Sequence, residues 1–368
     1  MKRFLAATLA IAAAASLSNM AAAQQAQDLK VAAGKPYKHK LSKLNFPATL
    51  AGAPRLLVRS IGPELLDVSA GYETADGAEF LSLFVYRNVT GAVPVWFDRA
   101  RWAIENRPDV YGTPVIAVGA PTFVPPGQQA ESGLIATYTL NKPPYRSTGV
   151  AILPFGEWLV KLRYSSKTLE AASLATAMRN ALAELDWPRE IAAVPAAGPI
   201  ADCPTSLALS GESKPAPASG AAALLTAFLG AAVANQSADK KPGAEQPPVA
   251  WCRDATVLKA GGVYRPDAAA DRYLIALSDA GRGIFVGPDA TTGVLAEIEP
   301  AAPRWSVALI DMNATTYFPA QDRLPSPSQV VDRILSGPAD SRIITWGKKR
   351  NINISPNALK EDSGSGRK

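Results

Sequence analysis

Val150-Ala151-Ile152-Leu153-Pro154-Phe155-Gly156-Glu157-Trp158-Leu159-Val160-Lys161-Leu162-Arg163-Tyr164 holds two apolar runs around a tight Pro-Phe-Gly turn. Strand side chains alternate between faces, so Trp158, Val160, Leu162 and Tyr164 share one face while Lys161 and Arg163 point the other way. That pattern predicts antiparallel strands in a sheet with one covered face and one wet face. The chain then enters Leu169 to Asp186, where Leu174, Met178, Ala181, Leu182 and Leu185 form an apolar stripe at helical spacing. This helix is the expected cover, and Trp187-Pro188 closes it.

Upstream, Leu66-Asp67-Val68-Ser69-Ala70-Gly71-Tyr72 alternates apolar and polar residues, and Phe80 to Tyr86 is aromatic and aliphatic. Asp76-Gly77 between them is a hairpin signal. Pro94 suits the first turn of a helix whose Trp96, Ala100 and Ile104 share a face, and Arg107-Pro108 ends it. Val115 to Val118 and Gly133 to Leu140 read as further strands. The order of strands, helix, strands and helix predicts an α+β domain over residues 44–190, an antiparallel sheet with packed helices.

The hairpin Gly156 to Tyr164, followed directly by a long helix ending in Leu185-Asp186-Trp187, resembles the closing unit of the PsbP-type α/β sandwich. The resemblance covers the first domain only, as a pattern of strands and one helix. It implies a binding or assembly-factor domain of a largely non-enzymatic family. It carries no functional residue onto a matching position of this chain.

Residues 191–200 form an Ala/Pro linker, and 201–355 are expected to fold as a smaller, strand-rich α+β domain. Tyr273 to Leu277 and Gly283 to Val286 flank Asp279-Ala280-Gly281-Arg282, a second hairpin signal. Val294 to Ile298, Trp305 to Ile310 and Arg342 to Trp346 are further candidate strands. Ser326-Pro327-Ser328-Gln329 combines a cap, an early proline and a capping-box glutamine ahead of Val330, Val331, Ile334 and Leu335. Residues 214–249 are a low-complexity insertion, and 356–368 a polar tail expected to be disordered.

At the front, Met1-Lys2-Arg3 precedes an uncharged apolar run and the small residues Ala21-Ala22-Ala23, the pattern of a secretory signal peptide spanning 1–23. The run is too short and alanine-rich for a membrane span, and no transmembrane segment is expected in the mature chain. Residues 24–43 read as a flexible arm, and the location as periplasmic or secreted. Cys203 and Cys252 are the only cysteines of the 368 residues, so an oxidising compartment leaves one disulfide to form. The whole-chain formal charge of +6 falls by two when Lys2 and Arg3 leave with the leader, a balance that does not suit a nucleic-acid partner.

One histidine, His39, excludes a His-Glu-x-x-His zinc site and leaves a Ser-His-Asp triad only this residue to recruit. P-loop, Gly-x-Gly-x-x-Gly and Gly-x-Ser-x-Gly motifs are absent. Ser237/Lys240 and Ser365/Lys368 have Ser-x-x-Lys spacing, but each lies in a low-complexity or tail segment where nothing would desolvate the lysine. Glu297 and Glu299 would share a strand face, as a solvated edge does equally well. Tyr138, Tyr145 and Phe155 lie near proline-rich turns and form the candidate binding surface. The sequence thus leads to an exported, non-enzymatic protein that binds an envelope protein or a small ligand, with no cofactor or metal. Two alternatives stay open: a histidine-poor hydrolase using carboxylates or a Ser/Lys pair, and an assembly factor for a membrane complex.

Overall fold

The computed structural model describes residues 26–217, 225, 249–289, 302–347 and 351–359, apart from 91, 190, 193 and 260. The signal peptide, most of the insertion, Glu297/Glu299 with their strand, both Ser-x-x-Lys spacings and most of the tail lie outside the described residues.

The chain opens with β1 (Gln27–Asp28), the ribbon β2 (Tyr37–Lys38) and β3 (Asn45–Phe46), and β4 (Thr49–Leu50). β5 (Ala53–Ser60), β6 (Asp67–Glu73) and β7 (Glu79–Arg87) lead to helices α1 (Val93–Glu105) and α2 (Pro108–Tyr111). Then follow β8 (Val115–Val118), β9 (Thr122–Phe123), β10 (Gly133–Thr139), β11 (Ser147–Phe155), β12 (Trp158–Ser166) and α3 (Ala171–Ala183). Ten strands form the first sheet, in the order β1-β5-β6-β7-β12-β11-β10-β8 with β4 on β5 and β9 on β10. Trp158–Ser166 pairs with Ser147–Phe155 on one side and Glu79–Arg87 on the other, both antiparallel. Gly156, at φ +57°, makes the turn between β11 and β12 in the left-handed region where glycine carries no Cβ penalty.

The second half contains β13 (Ala201–Asp202), β14 (Trp251–Leu258), β15 (Gly261–Pro266), β16 (Tyr273–Leu277), β17 (Arg282–Pro288), β18 (Trp305–Ile310), β19 (Ala314–Gln321), a single helical turn α4 (Pro327–Gln329), β20 (Ser341–Ile344) and β21 (Ile352–Ile354). These nine strands form a second sheet in chain order. The cap at Ser326 forms, its Oγ accepting from the Gln329 backbone N–H at 3.2 Å. The Gln329 side chain does not complete a capping box. It clamps the Ser213 backbone instead, and the chain loosens into a wide turn with Leu335 N–H bonded to Val330 O.

The fold is mainly β, which corrects the expected α+β class in both halves. Two thirteen-residue helices stand against sheets of ten and nine strands. Two features hid this. β5 carries arginines and exposed leucines in place of clean alternation. The well-capped start at Ser326 yields only a helical turn, not a packed helix.

The wet face is a second correction. α3 covers the side carrying Trp158, Val160, Leu162 and Tyr164, as expected. The opposite side, with Lys161 and Arg163, is covered too, by α1 and by the β16–β17 hairpin. Tyr264, Leu274, Ala276 and Met312 of the second sheet are part of the first sheet's core, so the apolar interior runs across the junction. Val263, Tyr273, Ile275, Ile284 and Val286 form a separate core on the far side of the second sheet. The segment read as a flexible arm is tied down where β1 pairs with β5 and where His39 is buried.

Candidate functional site: a polar cleft between the two sheets

In antiparallel strands, directly opposed residues project from the same face. Asp67 faces Tyr86, Ser69 faces Phe84, and Phe84 faces Lys161, while Arg163 follows two residues along β12. This row of polar and aromatic side chains would be a solvated sheet surface if nothing lay over it. The turn after β16 does. Ser278 (φ +53°) and Gly281 (φ +80°) bend it back onto the sheet, and a Cβ at Gly281 would come within 3.1 Å of the Tyr86 ring. The turn is seated by Arg99 Nε donating to Ser278 O at 3.2 Å and Lys161 Nζ donating to Asp279 O at 3.0 Å.

The Asp279 carboxylate descends between the two sheet cations. Its Oδ2 lies 2.9 Å from Lys161 Nζ and 2.6 Å from Arg163 Nη2. Lys161 is 3% exposed and sits 4.6 Å above the Phe84 ring. A buried cation is tolerated only when paired, so this anion is a condition for the closed junction. Burial pushes the Lys161 ammonium below its usual range, and Asp279 pulls it back up. Burial would raise the Asp279 carboxyl, but Lys161 and Arg163 outweigh it and hold the group at about 2.

Beneath the turn lies a cavity of about 400 Å³, walled by Asp67, Tyr86, Lys161, Arg163, Asp279 and Arg282, with Ile61, Phe84, Ala103 and Ala280 as apolar surface and exposed Arg107 at its edge. Arg282 is paired to Asp311 at 2.8 Å. Of the seven buried side-chain atoms without a hydrogen-bond partner among the described residues, three belong to this lining: Asp67 Oδ1, the Tyr86 hydroxyl and Arg163 Nε. Burial raises the Asp67 carboxyl to about 6, against the opposing pull of Lys161 and Arg282. Burial also raises the Tyr86 phenol, with Asp279 and Asp67 adding to it. The cleft therefore holds a carboxyl poised between its two forms, a neutral phenol and a guanidinium with one unused donor. It can accept and donate hydrogen bonds to a small polar molecule.

The junction beside the cleft is polar as well. Asp98 of α1 accepts from the Tyr264 hydroxyl at 2.8 Å and from Arg253 Nη1 at 3.2 Å. Arg87 donates to Met312 O at 2.5 Å and stacks 4.8 Å over Trp346.

The three aromatics expected to form a binding surface do not meet. Tyr138 is buried under α1, its hydroxyl donating to Glu105 at 2.6 Å and accepting from Arg101 at 3.1 Å. Phe155 lies at the other end of β11, packed edge-on against Trp187 at 5.4 Å. Tyr145 is half-buried in the loop before β11. His39 is fully buried, its Nε2 donating to Leu65 O at 2.8 Å and its Nδ1 accepting the Ser42 backbone N–H at 3.3 Å. Desolvation keeps its pKa below the usual value, so it is a neutral core histidine. Cys203 and Cys252 are joined as a disulfide, as expected, with Cα atoms 4.9 Å apart.

The sequence marks none of Asp67, Tyr86 and Asp279 as a site residue, and its alternation puts Lys161 and Arg163 on a wet face. One signal was available. Two cations in a stretch, Trp158 to Tyr164, otherwise made of Trp, Leu, Val and Tyr are costly to place unless something anionic meets them. No protein-family model matches the chain, and no curated protein matches it in sequence. Among the described residues no helix is long and apolar enough to cross a membrane, and no cluster of three or more His, Cys, Asp or Glu side chains is placed to hold a metal ion.

Proposed function

We propose that the chain is an exported binding protein that receives a small polar ligand in the cleft between its two sheets. One observation carries the reading: Asp67 Oδ1, Tyr86 OH and Arg163 Nε, buried without partners, all belong to side chains lining the same cavity. An unsatisfied buried polar group costs about 1–3 kcal/mol, so three around one cavity favour a molecule that satisfies them. Export is supported by the leader-like first residues and by the disulfide, which persists in oxidising compartments. The PsbP-type resemblance of the first sheet's closing unit is in keeping with binding in place of catalysis.

A second reading, an acid–base hydrolase, has one observation in its favour. Asp67 has a carboxyl at about 6 in a cavity, where a general acid or base is effective. Native mass spectrometry of chain purified from its own periplasm, with thermal-shift screening against small polar compounds, tests the first reading. A retained or stabilising compound whose effect is lost in Tyr86→Phe supports it. Purified chain that carries nothing and responds to no compound sinks it. Turnover of a screened compound, abolished by Asp67→Asn, would transfer the cleft to the second.

A further inference from the structure

We infer that the ligand of the cleft is a small carboxylic acid, and that the chain's own Asp279 occupies its binding pocket as an internal stand-in. The inference rests on the cleft being the ligand site. It starts from ownership of the groups. Lys161 and Arg163 belong to β12 in the middle of the first sheet, whereas the carboxylate between them comes from a turn of the second. Two cations fixed on one strand, with Lys161 held over the rings of Phe84 and Tyr86, make a rigid anion pocket. The anion that fills it sits on the less rigid partner, a turn with two residues at positive φ.

The fit of Asp279 is incomplete. Arg163 gives it Nη2 alone, and Nε stays buried and unused. A guanidinium prefers to hold a carboxylate through two parallel N–H bonds. A free carboxylate, not tethered to the turn, can take Nε and Nη2 together and reach the Tyr86 hydroxyl. Ile61, Ala103 and Ala280 leave apolar wall for a short carbon chain. A phosphate suits the cavity less well, because it has no apolar part to lie against Ile61, Ala103 and Ala280.

Chemical rescue tests this. Asp279→Ala should melt several degrees below wild type, and acetate or succinate should restore it saturably at constant ionic strength, where chloride does not. The rescue should vanish in the Lys161→Met/Asp279→Ala double variant. If Asp279→Ala folds poorly, its refolding yield with and without acetate gives the same comparison. Wild type should bind succinate more weakly than Asp279→Ala, because its own carboxylate competes. Acetate acting no better than chloride, or phosphate rescuing better than acetate, overturns the inference. So does succinate binding to the variant with none to wild type. Wild type that binds other polar compounds but no carboxylic acid leaves the cleft as the ligand site and removes only its proposed ligand.

Discussion

Asp67 connects the cleft to pH. Its carboxyl titrates near 6 in the folded chain against an ordinary value of 3.8. Between roughly pH 4 and 6 the unfolded chain releases this proton while the folded chain keeps it, so stability falls as pH rises through that window. Above it the penalty is constant, at about 3 kcal/mol. Asp67→Asn should therefore be more stable than wild type at pH 7 by up to about 3 kcal/mol, with the gain fading as pH falls from about 6 to 4 and gone below that. Urea unfolding at several pH values measures this, and a pH-independent difference would contradict it. Asp279 has the opposite sign. Held near 2, it stabilises the fold above its ordinary value and loses that contribution as pH falls from about 4 toward 2. Removing one member of a buried ion pair costs more than removing both, because the survivor stays charged and unpaired. Asp279→Leu should thus cost about 3–5 kcal/mol, and Lys161→Met/Asp279→Leu less, with only Arg163 left unpaired. Additive single-variant costs in that cycle would show that the pair is not coupled.

At the scale of the element, the seating of the β16–β17 turn is open to test through one glycine. Gly281 is at φ +80° and against Tyr86, while Gly156 is at φ +57° with nothing within 4 Å of a Cβ. Alanine at either position meets the left-handed backbone penalty of about 1–2 kcal/mol. Gly281→Ala should cost more, and should raise hydrogen exchange in the turn, because its methyl also pushes the tip off the ring. Equal costs at the two sites would mean that the tip is loosely held. Elements built on regular alternation were legible: β12, the β6–β7 and β16–β17 hairpins, α1 and α3 all form where the sequence predicts them. β5 was not, since Arg55, Leu56, Leu57 and Arg59 mix exposed apolar and partly covered charged positions. The fate of Lys161 and Arg163 was illegible for a different reason. Period-two patterning tells which side chains share a face, and says nothing about what a segment more than a hundred residues later lays over that face.

For the whole molecule, one tie closes the second half on itself and another holds it to the first. The disulfide joins β14 to the residue after β13, closing a loop with a sequence separation of 49. The chain-entropy relation gives such a loop about 4 kcal/mol, so Cys203→Ala/Cys252→Ala should lose stability on that scale. Reduced wild type should match the double variant in denaturant unfolding, and a loss near zero would contradict this. The other tie is the shared core and charged junction, which make the cleft a permanent feature rather than a gap between independent beads. The cysteine pair was readable because two cysteines allow one bond. The cleft was not, because its walls come from residues 67, 86, 161–163 and 279–282, which only the packing of one sheet on the other brings together.

The side-chain ¹⁵N–¹H resonance of Arg163 Nε, followed in the full chain while small polar compounds are titrated, tests the cleft most directly. That donor is buried and unpartnered now, so binding should move its resonance to a single saturating endpoint, with small carboxylic acids giving the largest displacement. A compound that binds and stabilises the chain while this resonance stays fixed would place the ligand elsewhere and contradict the account.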